Sequence, residues 1–209
     1  MNKAKQLISV VFFLICGSSV AAEYDPIKIG FGYGQGSFEV PVSYLPDDGS
    51  FLESTNEDSE DAIYYFSILT KPMNNLGFEF SYYDLGELSS SNVSDGSSFW
   101  YSAGDVKQSS SFKGMGLSAV FDYMPRPRFS IFGKLGVYQL DVTSSGNFND
   151  SSEHTGTIIG YGFEAMLNQS HSVKLEFIKF RDVRGVSNVF GGGGRVDIDT
   201  VSIVYLYSF

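Results

Sequence analysis

Eight separate stretches of this chain alternate apolar or aromatic residues with small or polar ones, and turn-forming or hydrophilic residues separate them. A period of two puts the apolar set on one face of an extended strand, so each stretch predicts a β-strand with one greasy face. They run Ile27 to Gln35, Ala62 to Lys71, Leu76 to Asp84, Phe112 to Tyr123, Phe129 to Leu140, Thr157 to Ala165, Ser172 to Arg181 and about Val196 to Phe209. In the first, Ile27, Ile29, Phe31 and Tyr33 oppose Lys28, Gly30, Gly32 and Gly34. In the third, Leu76, Phe78, Phe80 and Tyr82 oppose Gly77, Glu79, Ser81 and Tyr83. The second is aromatic on both faces, and its register stays open.

Connector lengths alternate as well. Long polar segments at 36–60, 86–111, 141–154 and 182–195 interleave with short turns near Pro72, Pro125 and Gln169. Pro125 and Pro127 cannot continue a ladder, which makes that segment a turn. Short turns at one end and long loops at the other fit an outer-membrane barrel. An even strand number lets the first and last strands pair, removing edges that lipid would not tolerate. A mean hydropathy of −0.03, with no segment past Gly17 continuously apolar for long, excludes helical spans but not strands, because a barrel strand is apolar only at every second residue.

The alternation alone does not say which face meets solvent; the N-terminus, the charge of each face and the placement of tyrosines together do. Met1-Asn2-Lys3-Ala4-Lys5, an apolar run from Leu7 to Cys16 and the small residues Val20-Ala21-Ala22 have the order of a secretory signal. The run is about ten residues against roughly 20 needed to span a bilayer. Residues 1–22 are therefore expected to be a cleaved signal peptide and 23–209 one barrel domain. Ile15 before Cys16 argues against lipidation. Cleavage after Ala22 leaves no cysteine, hence no disulfide scaffold, thiol enzyme or cysteine-ligated metal. Export, few charges on the greasy faces, and tyrosines toward strand ends (Tyr82, Tyr123, Tyr205, Tyr207) turn the apolar faces toward lipid. The expected fold is all-β: an eight-stranded antiparallel up-and-down transmembrane β-barrel in the outer membrane of a Gram-negative cell.

Leu76-Gly77-Phe78-Glu79-Phe80-Ser81-Tyr82 with Asp84-Leu85-Gly86, then Phe129-Ser130-Ile131-Phe132-Gly133-Lys134-Leu135-Gly136, are followed in order by three further motifs. These are Gly160-Tyr161-Gly162-Phe163-Glu164, Val173-Lys174-Leu175-Glu176-Phe177 and Asp197-Ile198-Asp199-Thr200-Val201-Ser202. In this order and spacing they resemble the transmembrane barrel of OmpA-like outer-membrane proteins. The resemblance implies an interior filled by a charge network, and a terminal aromatic strand read by the barrel-assembly machinery, which Tyr205, Tyr207 and Phe209 match. Larger members continue into a peptidoglycan-binding domain; this chain ends at Phe209, so cell-wall anchoring is not expected.

By the alternation, Glu79, Lys134, Glu164, Lys174 and Glu176 face inward, where charges must pair to avoid a high desolvation cost. An eight-stranded interior is just filled by side chains, so these five are expected to form a polar plug; a narrow ion or small-solute channel is the alternative. A lipid-modifying enzyme would need a histidine with an orienting acid and a nucleophile in reach. Only His154, beside Glu153 in a Ser-rich loop, and His171, at a short periplasmic turn, are available. No catalysis, cofactor or metal is expected. The acidic segment Asp47, Asp48, Glu53, Glu57, Asp58, Glu60 and Asp61 reads as a solvated loop, and Gly191 to Gly194 as a loop tip without the Lys-Ser/Thr of a phosphate loop. A pI near 4.5 without a basic patch gives nucleic acid nothing to bind. The expected role is a structural or surface-interaction one, adhesion-type, through long extracellular loops. Its expected partners are outer-membrane lipid and lipopolysaccharide, the barrel-assembly machinery, and host or cell-surface ligands, with the chain itself monomeric.

Overall fold

The computed structural model describes residues 27–39, 52–73, 75–94, 96, 103–126, 128–146, 149–184 and 195–209. The expected signal peptide, Asp47, Asp48 and the Gly191 to Gly194 run lie outside the described residues. The strands are β1 (Lys28–Glu39), β2 (Leu52–Asp58), β3 (Glu60–Met73), β4 (Leu76–Ser94), β5 (Gly104–Arg126), β6 (Phe129–Gly146), β7 (Asp150–Met166), β8 (His171–Arg184) and β9 (Arg195–Ser208). Only Ser59 separates β2 from β3, and both pair with β4, so the nine segments build eight staves.

Every pairing is antiparallel and the wall closes on itself. β1 pairs with β9 from Lys28↔Ser208 to Glu39↔Asp197, and β4 pairs with β5, so among the described residues no stave of the membrane-spanning part has a free edge. The expected faces hold: Phe31, Tyr33, Phe78, Tyr82, Leu135, Val137, Tyr161 and Ile203 point outward, while Glu79, Lys134, Lys174 and Glu176 are buried inside. β3, whose register the sequence left open, turns Ile63, Tyr65, Ser67, Leu69 and Lys71 inward and Tyr64 and Ile68 outward.

The staves are longer than expected, and this corrects the reading of the connectors. Segments 86–94 and 104–111, and 141–146 and 150–154, are not loop but continuations of β4, β5, β6 and β7. The lipid-facing stretch of β6, Phe129 to Val137, covers about 20 Å of membrane height at about 3.4 Å per residue and a tilt near 40°. Gln139 to Gly146 then rises nearly as far again above it.

In that upper part the amphipathicity changes phase. Below, Ile131 and Leu135 face out while Lys134 faces in; above, Tyr138, Leu140 and Val142 face in while Gln139, Asp141 and Thr143 face out. The inward set joins Phe38, Tyr83, Leu85, Leu88, Phe112, Ile158, Phe180, Val183, Val196 and Ile198 in one apolar core. These residues make strand rather than loop because burying their apolar surface is worth roughly 25 cal/mol per Å².

The acidic segment is likewise not all loop: Glu53, Glu57 and Asp58 lie in β2, Glu60 and Asp61 in β3. Asp61 has a structural task. The β4–β5 register slips between Asp84 and Glu87, Gly86 there has φ 82°, and an Asp61 carboxylate oxygen accepts the Glu87 backbone N–H at 2.8 Å. A side chain at Gly86 would meet both a left-handed backbone and the Asp61 carboxylate.

Candidate functional site

Lower in the lumen buried charges lie among apolar side chains such as Leu69, Val120, Phe132, Val204 and Leu206, and they fall into two tiers. In the upper tier β4, β6 and β8 each turn charged side chains to the axis at similar height. Lys134 Nζ lies 2.6 Å from Glu79 Oε1 and 2.5 Å from Glu176 Oε1. Lys174 Nζ lies 3.1 Å from Glu79 Oε2 and 3.9 Å from Glu176 Oε1. Tyr65 donates its phenol to Glu176 Oε2, Ser81 donates to Glu79 at 2.9 Å, and Lys174 sits 4.7 Å over the Phe132 ring.

Glycines make the room for this tier. Gly160 and Gly162 stand opposite Lys134 and Glu176 on β7, and Gly32 stands opposite Tyr65 on β1. A Cβ at Gly32 would run into the Tyr65 ring, an example of small residues facing large ones across a narrow lumen.

The lower tier lies toward the short turns. Lys28 pairs with Glu164 at 2.6 Å, with Ser172 donating to the same oxygen at 2.7 Å, and Lys71 pairs with Asp122 at 2.7 Å. The five charges expected to form one network are thus divided: Glu79, Lys134, Lys174 and Glu176 form the tetrad, while Glu164, although it stands opposite Lys174 across β7 and β8, turns its carboxylate to Lys28 and Ser172. Sequence reasoning did not single out Lys28, Lys71, Asp122 and Tyr65. The first three lie near strand ends, and Tyr65 lies in the stave whose face was ambiguous. The lysines Lys28, Lys71, Lys134 and Lys174 balance the carboxylates Glu79, Asp122, Glu164 and Glu176, so the two tiers together are neutral.

The family model of the OmpA-like transmembrane domain matches residues 25–207. The chain belongs to that family. Like solved small outer-membrane barrels, this OmpA-like chain is an outer-membrane β-barrel protein. It superimposes on Neisserial surface protein A with a TM-score of 0.60 at 10% identity, over 90% of this chain and 100% of that one. For Ail, the attachment invasion locus protein of Yersinia pestis, the TM-score is 0.53 at 13% identity, over 88% and 99%. For the N-terminal barrel domain of Pseudomonas aeruginosa OprF it is 0.50 at 10%, over 88% and 99%. At these identities the likeness is one of fold. No curated protein sequence is significantly similar.

The histidines of the OmpA-like chain stand apart. His171 opens β8: its Nδ1 meets the Tyr205 hydroxyl and its ring packs 5.2 Å from Tyr207. Tyr205, Tyr207 and Phe209 face outward at the same end, Tyr207 edge-on to Phe209 at 5.0 Å. His154 is not in a loop, as expected, but on the inner face of the raised part of β7, paired with Leu140. Partial burial and the Arg184 cation push its pKa below the ordinary imidazole value, and Asp182 opposes them.

Proposed function

We propose that this OmpA-like barrel is a surface-interaction protein whose recognising element is the raised sheet β4–β7 together with the outward loops. One observation carries the reading. β7 pairs with β6 along its whole length, up to Ser144↔Asp150, but with β8 only from Thr157↔Arg181 downward. Among the described residues, Asp150 to Gly156 therefore present a sheet edge to solvent. The Met166 N–H is bonded toward β6, and the β6–β7 register has no slip. Backbone groups of even-numbered residues in β7 thus face β6, and those of Ser151, Glu153 and Thr155 face the open side.

Such an edge accepts an added strand. Glu87, Asp105, Asp141, Asp150 and Glu153 are exposed on the raised sheet, against Lys107 and, opposite Asp141, Lys113, an acidic excess that favours a basic extended segment of a host or cell-surface protein. The remaining expected partners, the assembly machinery at Tyr205, Tyr207 and Phe209 and a monomeric state in lipid, belong to the same reading.

The test uses the protein in lipid nanodiscs and a peptide of alternating lysine and threonine. Saturable binding lost in Glu153→Pro supports the role, because this proline removes a donor from the open edge and leaves the β6–β7 ladder whole. Binding unchanged by Glu153→Pro, or no binding, refutes it. A conducting role is disfavoured by the closed tetrad under the apolar core; silent planar bilayers are expected, and discrete openings altered by Lys134→Met would revive the channel. We read the chain as a non-enzyme. The Asp182 carboxylate that His154 would need as its orienting acid is gripped by Arg184 at 2.7 Å.

A further inference from the structure

The outer wall carries a recess of about 430 Å³ where β7, β8 and β9 pass from lipid to water. Its floor is Ile159 with Tyr161 and Phe177, whose rings stack 5.2 Å apart at 18°. Its rim holds Lys179, Arg181 and Asp199. The phase change of β8 falls between outward Phe177 and inward Ile178 and Phe180. Arg181 consequently sits about 10 Å above the Phe177 ring along the barrel axis, at the height of lipid headgroups.

The two cations of the rim differ in what they already hold. Lys179 is surrounded by Glu39 at 2.8 Å, Asp199 at 3.1 Å and Asp197 at 3.6 Å. These contacts turn the local carboxylates toward Lys179. Arg181 is exposed, and among the described residues its guanidinium has no carboxylate partner.

The backbone is built to aim it there. Phe180 pairs with Ile198 and Val183 with Val196, so Arg181 and Asp182 together oppose Asp197 in a bulge. Asp182 adopts φ 58°, a left-handed conformation uncommon for a residue other than glycine. Asp197 accepts its N–H at 2.8 Å, Arg184 clasps its carboxylate, and Tyr138 donates to the Arg181 carbonyl at 2.8 Å from inside. Bulges re-aim side chains at functional positions, and a strained residue held by three such contacts persists because its surroundings over-determine it.

We propose that this recess binds a membrane lipid through its headgroup phosphate, the phosphate on the Arg181 guanidinium and an acyl chain along Ile159, Tyr161 and Phe177. The fork of a guanidinium matches phosphate oxygens, and the stacked aromatic floor supplies apolar contact that a free anion would not use. The occupant is a lipid, not inorganic phosphate.

Native mass spectrometry of the detergent-solubilised barrel tests this with three probes: phosphatidylglycerol, a phosphate-free galactosyl diacylglycerol, and inorganic phosphate as competitor. The expected result is a retained phosphatidylglycerol adduct, weakened about tenfold or more in Arg181→Gln and unchanged in Lys113→Gln, which alters an outward lysine on β5. Galactolipid is expected to bind weakly, and millimolar phosphate is expected not to displace the adduct. An undiminished adduct in Arg181→Gln, equal retention of the galactolipid, or displacement by inorganic phosphate each overturns the proposal. Folding is checked by heat-dependent gel migration. If Arg181→Gln does not fold, Tyr161→Ala carries the same test by removing half of the stacked floor.

Discussion

Replacing Lys134 by methionine is the sharpest probe of the lumen, because methionine keeps much of the side-chain volume and removes the charge. Lys134 makes the two short contacts of the tetrad, to Glu79 and Glu176; Lys174 makes the two long ones, at 3.1 Å and 3.9 Å. Without Lys134, two buried carboxylates share one cation that reaches Glu176 only at 3.9 Å. Removing one partner of a buried pair costs about 3–5 kcal/mol. Lys174→Met, which loses longer contacts, is expected to cost less, about 1–3 kcal/mol. Glu176→Gln alone leaves one excess buried positive charge and again costs several kcal/mol. The double variant Lys134→Met with Glu176→Gln restores neutrality and keeps the Lys174–Glu79 pair, so it should lie within about 1–2 kcal/mol of the parent, far above the stability implied by adding the singles. Urea unfolding of the refolded barrel in phospholipid vesicles, followed by circular dichroism and by heat-dependent gel migration, gives the free energy of the parent and of each variant. The reasoning fails if Lys134→Met costs no more than Lys174→Met, or if the double variant costs the sum of its parts.

Three further outcomes are expected. Leu140→Ala, in the apolar core above the membrane, should cost about 2–5 kcal/mol in the same unfolding assay; a cost like that of an exposed residue would mean the raised staves hold no core. Gly32→Val puts a side chain against the Tyr65 ring and should push its phenol off Glu176 at a cost of about 1–3 kcal/mol, whereas in Tyr65→Phe the same valine should add less beyond the lost hydrogen bond; equal costs in both backgrounds would disconnect Gly32 from the phenol. His154 should titrate by NMR below the ordinary imidazole value near 6.5, and Arg184→Gln should move the midpoint up by removing a nearby cation. Since the folded pKa is the lower one, its contribution to stability is present above about pH 6.5 and is lost as pH falls from there to the folded value; a midpoint indifferent to Arg184 would contradict the electrostatic cause.

What can be read from the chain, and what cannot, follows from how far each signal reaches. Period-two alternation with lipid-facing Phe, Leu, Ile and Tyr marks a strand wherever it meets membrane, so all eight staves and the inward placement of Glu79, Lys134, Glu164, Lys174 and Glu176 are accessible from it. Which charges meet is set by stave height and by the glycines across the lumen, neither of which a single strand's pattern contains; hence the one expected network is two. The raised staves read as loops in the sequence because Ser89, Ser109, Ser111, Ser144 and Ser145 look like linker residues. Yet Tyr138-Gln139-Leu140-Asp141-Val142-Thr143 still alternates, with the apolar residue moved to the other face.

That reversal has a physical cause and a use. In lipid the outside is the apolar solvent and the interior can hold the neutral ion tiers; above it water lies outside and the core must be apolar, so the same strand has to exchange its faces at the boundary. The exchange falls at Val137/Tyr138 in β6, Phe177/Ile178 in β8 and between Ile198 and Val201 in β9, and on three staves it marks one level of the barrel. Lys179 and Asp199, partners across β8 and β9, stand at that level with their carboxylate neighbours, and Arg181 just above it. A membrane boundary is therefore written into the chain as a change of phase rather than as a change of composition, which is why mean hydropathy does not register it and why the proposed lipid recess lies where it does.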